Sequence, residues 1–206
     1  MLIARIPGIF ARIFKNLTWE IPNDNNEVYL TFDDGPTPTV TEWVLDQLKQ
    51  RGYKATFFCL GNNVKQHPQL FERIRAEGHA VGNHSYSHVK GFRKSVDSYI
   101  EDVDRASELI DSRLYRPPYG RILPRQVKKL KNNYRIIMWS VLSVDYNAQL
   151  SGDRVVRNVT DNLRPGVIIV FHDSLKASEN LYYALPKVLD HIHEKGYRLS
   201  VLSGDK

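Results

Sequence analysis

Cysteine is almost absent from this chain: among 206 residues there is one, Cys59. No internal disulfide can form, so stability must come from a packed core, and cysteine usage leaves the compartment open. Cys59 lies in the apolar run Phe57-Phe58-Cys59-Leu60 and is expected in that core rather than in redox chemistry. Long apolar runs are missing too, and nothing approaches the roughly 20 residues of a membrane-spanning helix. Residues 1–14 mix apolar and basic side chains, but Arg5, Pro7 and Arg12 interrupt the stretch of about 7 to 15 apolar residues that a secretory signal requires. A short amphipathic helix capping the domain is expected there, with contact to a membrane surface through residues 1–15 as the alternative, and a cytoplasmic location follows.

No compositional shift marks a linker, so residues 1–25 read as an extension and 26–206 as one domain. Acidic residues are the minority, 23 against 29 Lys and Arg, for a formal net charge of +6. That balance permits attraction to an anionic partner. The densest basic stretch, 121–131, carries Arg121, Arg125, Lys128, Lys129 and Lys131 without the aromatic platforms of a single-strand binder. It reads as a solvated helix face, and no nucleic-acid partner is expected.

What is present suffices for a core, since 42% of the residues are hydrophobic. Seven short apolar or β-branched runs, at 28–32, 55–59, 80–83, 114–116, 135–139, 167–171 and 198–202, alternate with longer segments of helical period. This is the pattern of strand–helix units around a parallel sheet, in either an open sheet or a barrel. Val40, Val44, Leu45 and Leu48 share one helical face, as do Val96, Tyr99, Ile100, Val103 and Ala106. Gly52, Gly78 and Gly196 follow helical runs as C-terminal caps would.

The residues that can do chemistry gather where these runs end. Asp33 and Asp34 follow the first, His84 the third, Asp145 comes after the fifth, His172 follows the sixth, and Arg116 closes the fourth. Active sites of barrels and of open parallel sheets both form at that end. Successive strand side chains point opposite ways, so the adjacent carboxylates can serve different partners, one a metal and the other a proton. His84 and His88 are four apart, and on a helical turn both rings would face one side and could share a metal. The bland alternative is a turn with two hydrogen-bonding histidines. In Arg116-Pro117-Pro118-Tyr119-Gly120, two prolines stiffen the path and could aim the Tyr119 N–H as an oxyanion donor; a stiff loop with a surface arginine fits equally. His67, His79, His191 and His193 lack such settings and are expected to be structural or exposed.

Taken in order, Thr31-Phe32-Asp33-Asp34-Gly35-Pro36, His84-Ser85-Tyr86-Ser87-His88, Arg116-Pro117-Pro118-Tyr119-Gly120, the segment from Trp139 to Tyr146, and Phe171-His172 resemble the polysaccharide deacetylase family with the NodB homology domain, carbohydrate esterase family 4. The resemblance covers nearly everything after residue 25. It implies a distorted (β/α) barrel of about seven parallel strands and a hydrolase that removes N-acetyl, or secondarily O-acetyl, groups from a carbohydrate. It also implies a divalent metal, zinc by preference, on Asp34, His84 and His88, with Asp33 as general base, Arg116 orienting it and His172 as general acid. Pro118 and Tyr119 would line the oxyanion and substrate pocket, and Trp139 is expected either to line the groove with them or to belong to the core.

One segment departs from the family pattern. Where the family commonly has Asp-x-x-Asp-Trp, this chain has Leu142-Ser143-Val144-Asp145-Tyr146, so Asp145 is the only candidate there to partner His172. Other readings are a hydrolase of non-acetyl C–N bonds in small amides and a catalytically silent carbohydrate-binding barrel.

Overall fold

A computed structural model describes residues 14–204. The amphipathic helix expected over 1–14, and the membrane-surface alternative with it, fall almost wholly outside the described residues. The described residues hold nine strands: β1 (Leu17–Thr18), β2 (Glu27–Asp33), β3 (Thr56–Cys59), β4 (Ala80–Asn83), β5 (Leu114–Tyr115), β6 (Arg135–Ile137), β7 (Val141–Leu142), β8 (Ile168–His172) and β9 (Arg198–Leu199). The helices are α1 (Val40–Gln50), α2 (Gly61–Gln66), α3 (Pro68–Ala76), α4 (Val96–Ser107), α5 (Pro124–Leu130), α6 (Gly152–Thr160) and α7 (Ser178–Glu194).

The strands run in the order β1-β6-β5-β4-β3-β2-β8-β7, with β9 on β2, and every pairing between them is parallel. Each of the seven expected runs holds a strand, but the run at 135–139 does not continue as one. Met138 N–H bonds the Thr18 carbonyl and Ser140 N–H the Ile168 carbonyl, so the backbone changes neighbours there and resumes as β7 on the far side. This single segment therefore meets β5 at one end and β8 at the other, and curls the sheet into a distorted barrel. Leu17–Thr18 is the second strand missing from the sequence reading, being too short to show a period of two.

Burial on both faces accounts for the apolar runs of the central strands. Phe32 stacks on Phe57 with ring centroids 5.1 Å apart, and Phe171 lies on its other side at 6.3 Å. Cys59 is fully buried beside them, as expected of a core thiol. Around the sheet, α1 buries Val40, Val44, Leu45 and Leu48, and α4 buries Tyr99, Val103 and Ala106. Gly52, Gly78 and Gly196 follow their helices with positive φ, the conformation that a C-terminal cap requires. No helix among the described residues is long and apolar enough to cross a membrane.

Register is what assembles the site. Asp33 pairs with His172 across β2 and β8, and Asn83, next to His84, pairs with Tyr115, next to Arg116. Residues far apart in sequence thus arrive side by side at the C-terminal rim.

Candidate active site

Arg116 is fully buried, not the surface arginine of the bland reading. Its Nη1 donates to Asp33 Oδ1 and to Thr31 Oγ1, both at 2.7 Å, and its Nη2 donates to the Met138 carbonyl at 3.0 Å. The guanidinium also lies over the Phe58 ring, 4.1 Å from the centroid. Burial alone would raise the pKa of Asp33, but the Arg116 charge, helped by His84 and His172, holds the carboxyl below its ordinary value. Asp33 is therefore an anion with one oxygen engaged by arginine.

Asp34 lies just past the end of β2 with a φ of 81°, and this left-handed turn, not strand alternation, directs its carboxylate toward His84 and His88. Its Oδ1 lies 3.6 Å from His84 Nε2 and 3.2 Å from His88 Nε2, and ligand atoms of all three residues fall within 4.8 Å of one another. The histidines are not on a helical turn: they sit in an irregular loop in which Ser85 has a φ of 68° and His88 of 55°. Asn83 Oδ1 accepts the Ser85 N–H at 2.7 Å, and Asp102 accepts the N–H groups of Tyr86 and Ser87, so side chains rather than a helix bring the rings together.

A divalent cation fits these donors. His84 Nδ1 contacts the Arg116 carbonyl at 2.8 Å, which fixes the proton on Nδ1 and turns Nε2 toward Asp34. Burial, with His84 nearby, lowers the pKa of His88 to about 4, so His88 is a neutral imidazole. Asp34 Oδ1 is buried with no hydrogen-bond partner. An unpartnered carboxylate oxygen beside acceptor nitrogens is costly unless a cation joins them.

Across the pocket, His172 Nδ1 bonds Asp145 Oδ1 at 2.7 Å, and Asp145 Oδ2 accepts the His172 N–H at 2.8 Å. Ser143 Oγ donates to the same carboxylate at 3.0 Å, and Tyr146 meets the His172 ring edge-on with centroids 5.0 Å apart. Burial disfavours the imidazolium, but Asp145 outweighs it and raises the pKa of His172 to about 9.

Pro118 and Tyr119 form a single 3-10 turn in which Tyr119 has a φ of 60°. The turn is closed by bonds from Gly120 N–H to the Pro117 carbonyl and from Arg121 N–H to the Pro118 carbonyl, neither of which uses the Tyr119 N–H. The Tyr119 ring is tilted against that of His88 with centroids 4.4 Å apart, beside the Asp34-His84-His88 cluster. Trp139 is half-buried beneath this turn, so near Gly120 that a Cβ there would come within 2.3 Å of the indole. His79 is a core histidine whose Nδ1 accepts the Ala55 N–H at 3.1 Å. Arg121 lies before α5, so it does not belong to the helical face drawn over 121–131.

Asp173 escaped the sequence reading. Fully buried next to His172, it accepts the Gly35 N–H at 3.1 Å and the Thr41 hydroxyl, and its own N–H bonds the Asp33 carbonyl at 3.1 Å. It fixes the loop that carries both catalytic-site carboxylates, and a Cβ on Gly35 would stand 2.0 Å from its Oδ2. Burial pushes the Asp173 pKa up to about 8. An acid directly after a polar strand end, as in Asp33-Asp34, was the available signal.

The family profile for polysaccharide deacetylase matches residues 20–136. A peptidoglycan-N-acetylglucosamine deacetylase of Bacillus cereus is 38% identical over 192 residues, spanning 88% of this chain and 68% of that protein. The crystal structure of the Bc1960 peptidoglycan N-acetylglucosamine deacetylase superposes with a TM-score of 0.89 at 34% identity, covering 98% of this chain and all of that one. A family 4 carbohydrate esterase from Streptomyces lividans, in complex with acetate, superposes with a TM-score of 0.79 at 29% identity over 87% of this chain and 94% of its own. With an Asp-His-His cluster fit for a metal at the rim of this curled parallel sheet, the chain belongs to the polysaccharide deacetylase family, metal-dependent hydrolases of non-peptide carbon–nitrogen bonds.

Proposed function

We propose that this protein hydrolyses the N-acetyl group of N-acetylglucosamine units in peptidoglycan, with zinc held by Asp34, His84 and His88. One observation carries this reading: the unpartnered Asp34 Oδ1 faces two imidazoles, with an anionic Asp33 on one side and a cationic His172 on the other. The relatives named above that act on peptidoglycan N-acetylglucosamine support the substrate.

When bound, the ion would polarise the acetamide carbonyl and acidify a water. Asp33, kept ionised and aimed by Arg116, accepts the proton of the water as its oxygen forms a bond to the acetyl carbon. The Tyr119 N–H donates to the oxygen that gains negative charge. His172, held by Asp145, gives its proton to the sugar nitrogen as the C–N bond breaks, and acetate and a free amine leave. Pro118 and Trp139 wall the pocket and keep the turn rigid.

Acetate release separates the alternatives. Peptidoglycan glycan fragments should yield acetate, and O-acetylated xylan should yield far less; release from the xylan alone would sink the proposal.

The charge on His172 gives the reaction a basic limit. The general acid must carry its proton, so kcat should hold below about pH 9 and fall as pH rises through that value. Asp145→Asn removes the group that raises the pKa, so the limb should move to lower pH by about one unit or more. A limb that stays in place in Asp145→Asn would mean that His172 is not the group titrating.

A further inference from the structure

The loops 84–95 and 116–123, which bracket the metal cluster, hold the exposed cations Lys90, Arg93, Lys94 and Arg121 and not one acidic residue. Two of these cations are arranged around a single ring. Phe92 is 46% exposed, and the guanidinium carbons of Arg93 and Arg121 lie 5.8 and 5.2 Å from its centroid. No carboxylate among the described residues pairs with either arginine. Two like charges around one aromatic ring repel each other, an arrangement that an incoming anion relieves. Phe92 and Arg121 also line a cavity of about 400 Å³ with Gly120, Ile122 and Leu123. That cavity neighbours the cluster along the chain, because the Tyr119 ring contacts His88 while the next two residues, Gly120 and Arg121, line the cavity.

We infer that Phe92, Arg93 and Arg121 form a subsite for a carboxylate-bearing sugar unit of the same glycan chain, beside the acetylated unit undergoing hydrolysis. The exposed ring offers a face on which a pyranose packs, and the guanidinium forks take the carboxylate. A neutral glycan would satisfy the ring and leave both charges unanswered. The inference rests on the glycan deacetylase reading and adds a preference for acidic chains over neutral ones.

The test uses two oligomers of equal length, one of N-acetylglucosamine alone and one alternating it with N-acetylmuramic acid whose lactyl carboxylates are free. The intact protein should show a KM about tenfold lower for the acidic oligomer, the size of one or two partly exposed charged contacts, and the advantage should shrink as salt rises. Arg93→Gln/Arg121→Gln should raise KM for the acidic oligomer to that of the neutral one and leave both kcat values unchanged. Equal losses on both oligomers, or a preference that survives the double substitution, would overturn the subsite. Acetate from neither oligomer would instead sink the deacetylase reading. The subsite is then judged by calorimetry on the Asp33→Asn protein, with and without the arginine substitutions: tighter binding of the acidic oligomer that depends on the arginines supports it, and equal affinities overturn it.

Discussion

Asp33→Asn will lower kcat about 10²- to 10⁴-fold while leaving the metal content of the protein unchanged. Asparagine keeps the shape of the side chain and an oxygen for Arg116 Nη1, so β2 and the buried network have little reason to rearrange. What disappears is the basic carboxylate. The two aspartates differ in their surroundings: Asp33 is 3% exposed and tied to a guanidinium, whereas Asp34 Oδ1 faces His84 and His88 with no donor. If Asp33 were the ligand instead, its asparagine variant would lose metal, which elemental analysis of the purified protein reads directly. A kcat within tenfold of the starting protein, with metal retained, would place the base elsewhere.

Arg116→Leu should cost about 3–5 kcal/mol of stability, because it strands the Asp33 charge in the core. The same change removes the donors to Thr31 Oγ1 and to the Met138 carbonyl, and the cation over Phe58. The Met138 bond matters for the barrel, since Met138 begins the crossing from β6 to β7. For a chain of this size the loss corresponds to a thermal midpoint lower by about 6 to 20 °C. Without the guanidinium, burial at Asp33 loses its main opponent, so its pKa rises and the acidic limb of the rate profile should move to higher pH. Arg116→Lys should recover part of the stability through charge but not the fork that reaches both Asp33 and Met138. Thermal denaturation within 1 kcal/mol of the starting protein for Arg116→Leu, a margin well under the cost of a buried unpaired charge, would contradict this account of Arg116.

The parts of the site that could be read from the sequence are those set by strand ends. Asp33, His84, Arg116 and His172 each close or follow an apolar run, and parallel pairing gathers such ends at one rim. Asp145 could be singled out as the partner of His172 because no other carboxylate remained in its segment, and the 2.7 Å contact follows from the packing of that loop on β8. What could not be read depends on tertiary bonds. A spacing of four suggested a helical turn for His84 and His88, but Asn83 and Asp102 hold a loop there through side-chain acceptors that periodicity does not register. Likewise the run at 135–139 looks continuous in apolar content, and only the change of hydrogen-bonding neighbours at Met138 and Ser140 divides it. The basic residues that follow Arg121 make it look like part of a helix, yet Pro124 starts that helix and leaves Arg121 free to lie over Phe92.

In the proposed reaction, hydrolysis depends on an ion held by Asp34, His84 and His88. The most direct measurement is acetate released from peptidoglycan fragments by one preparation assayed as purified, after treatment with a chelator, and after zinc is returned, alongside His84→Ala carried through the same steps. The account predicts activity lost on chelation, restored by zinc, and absent from His84→Ala throughout; full activity in the chelated protein would contradict it.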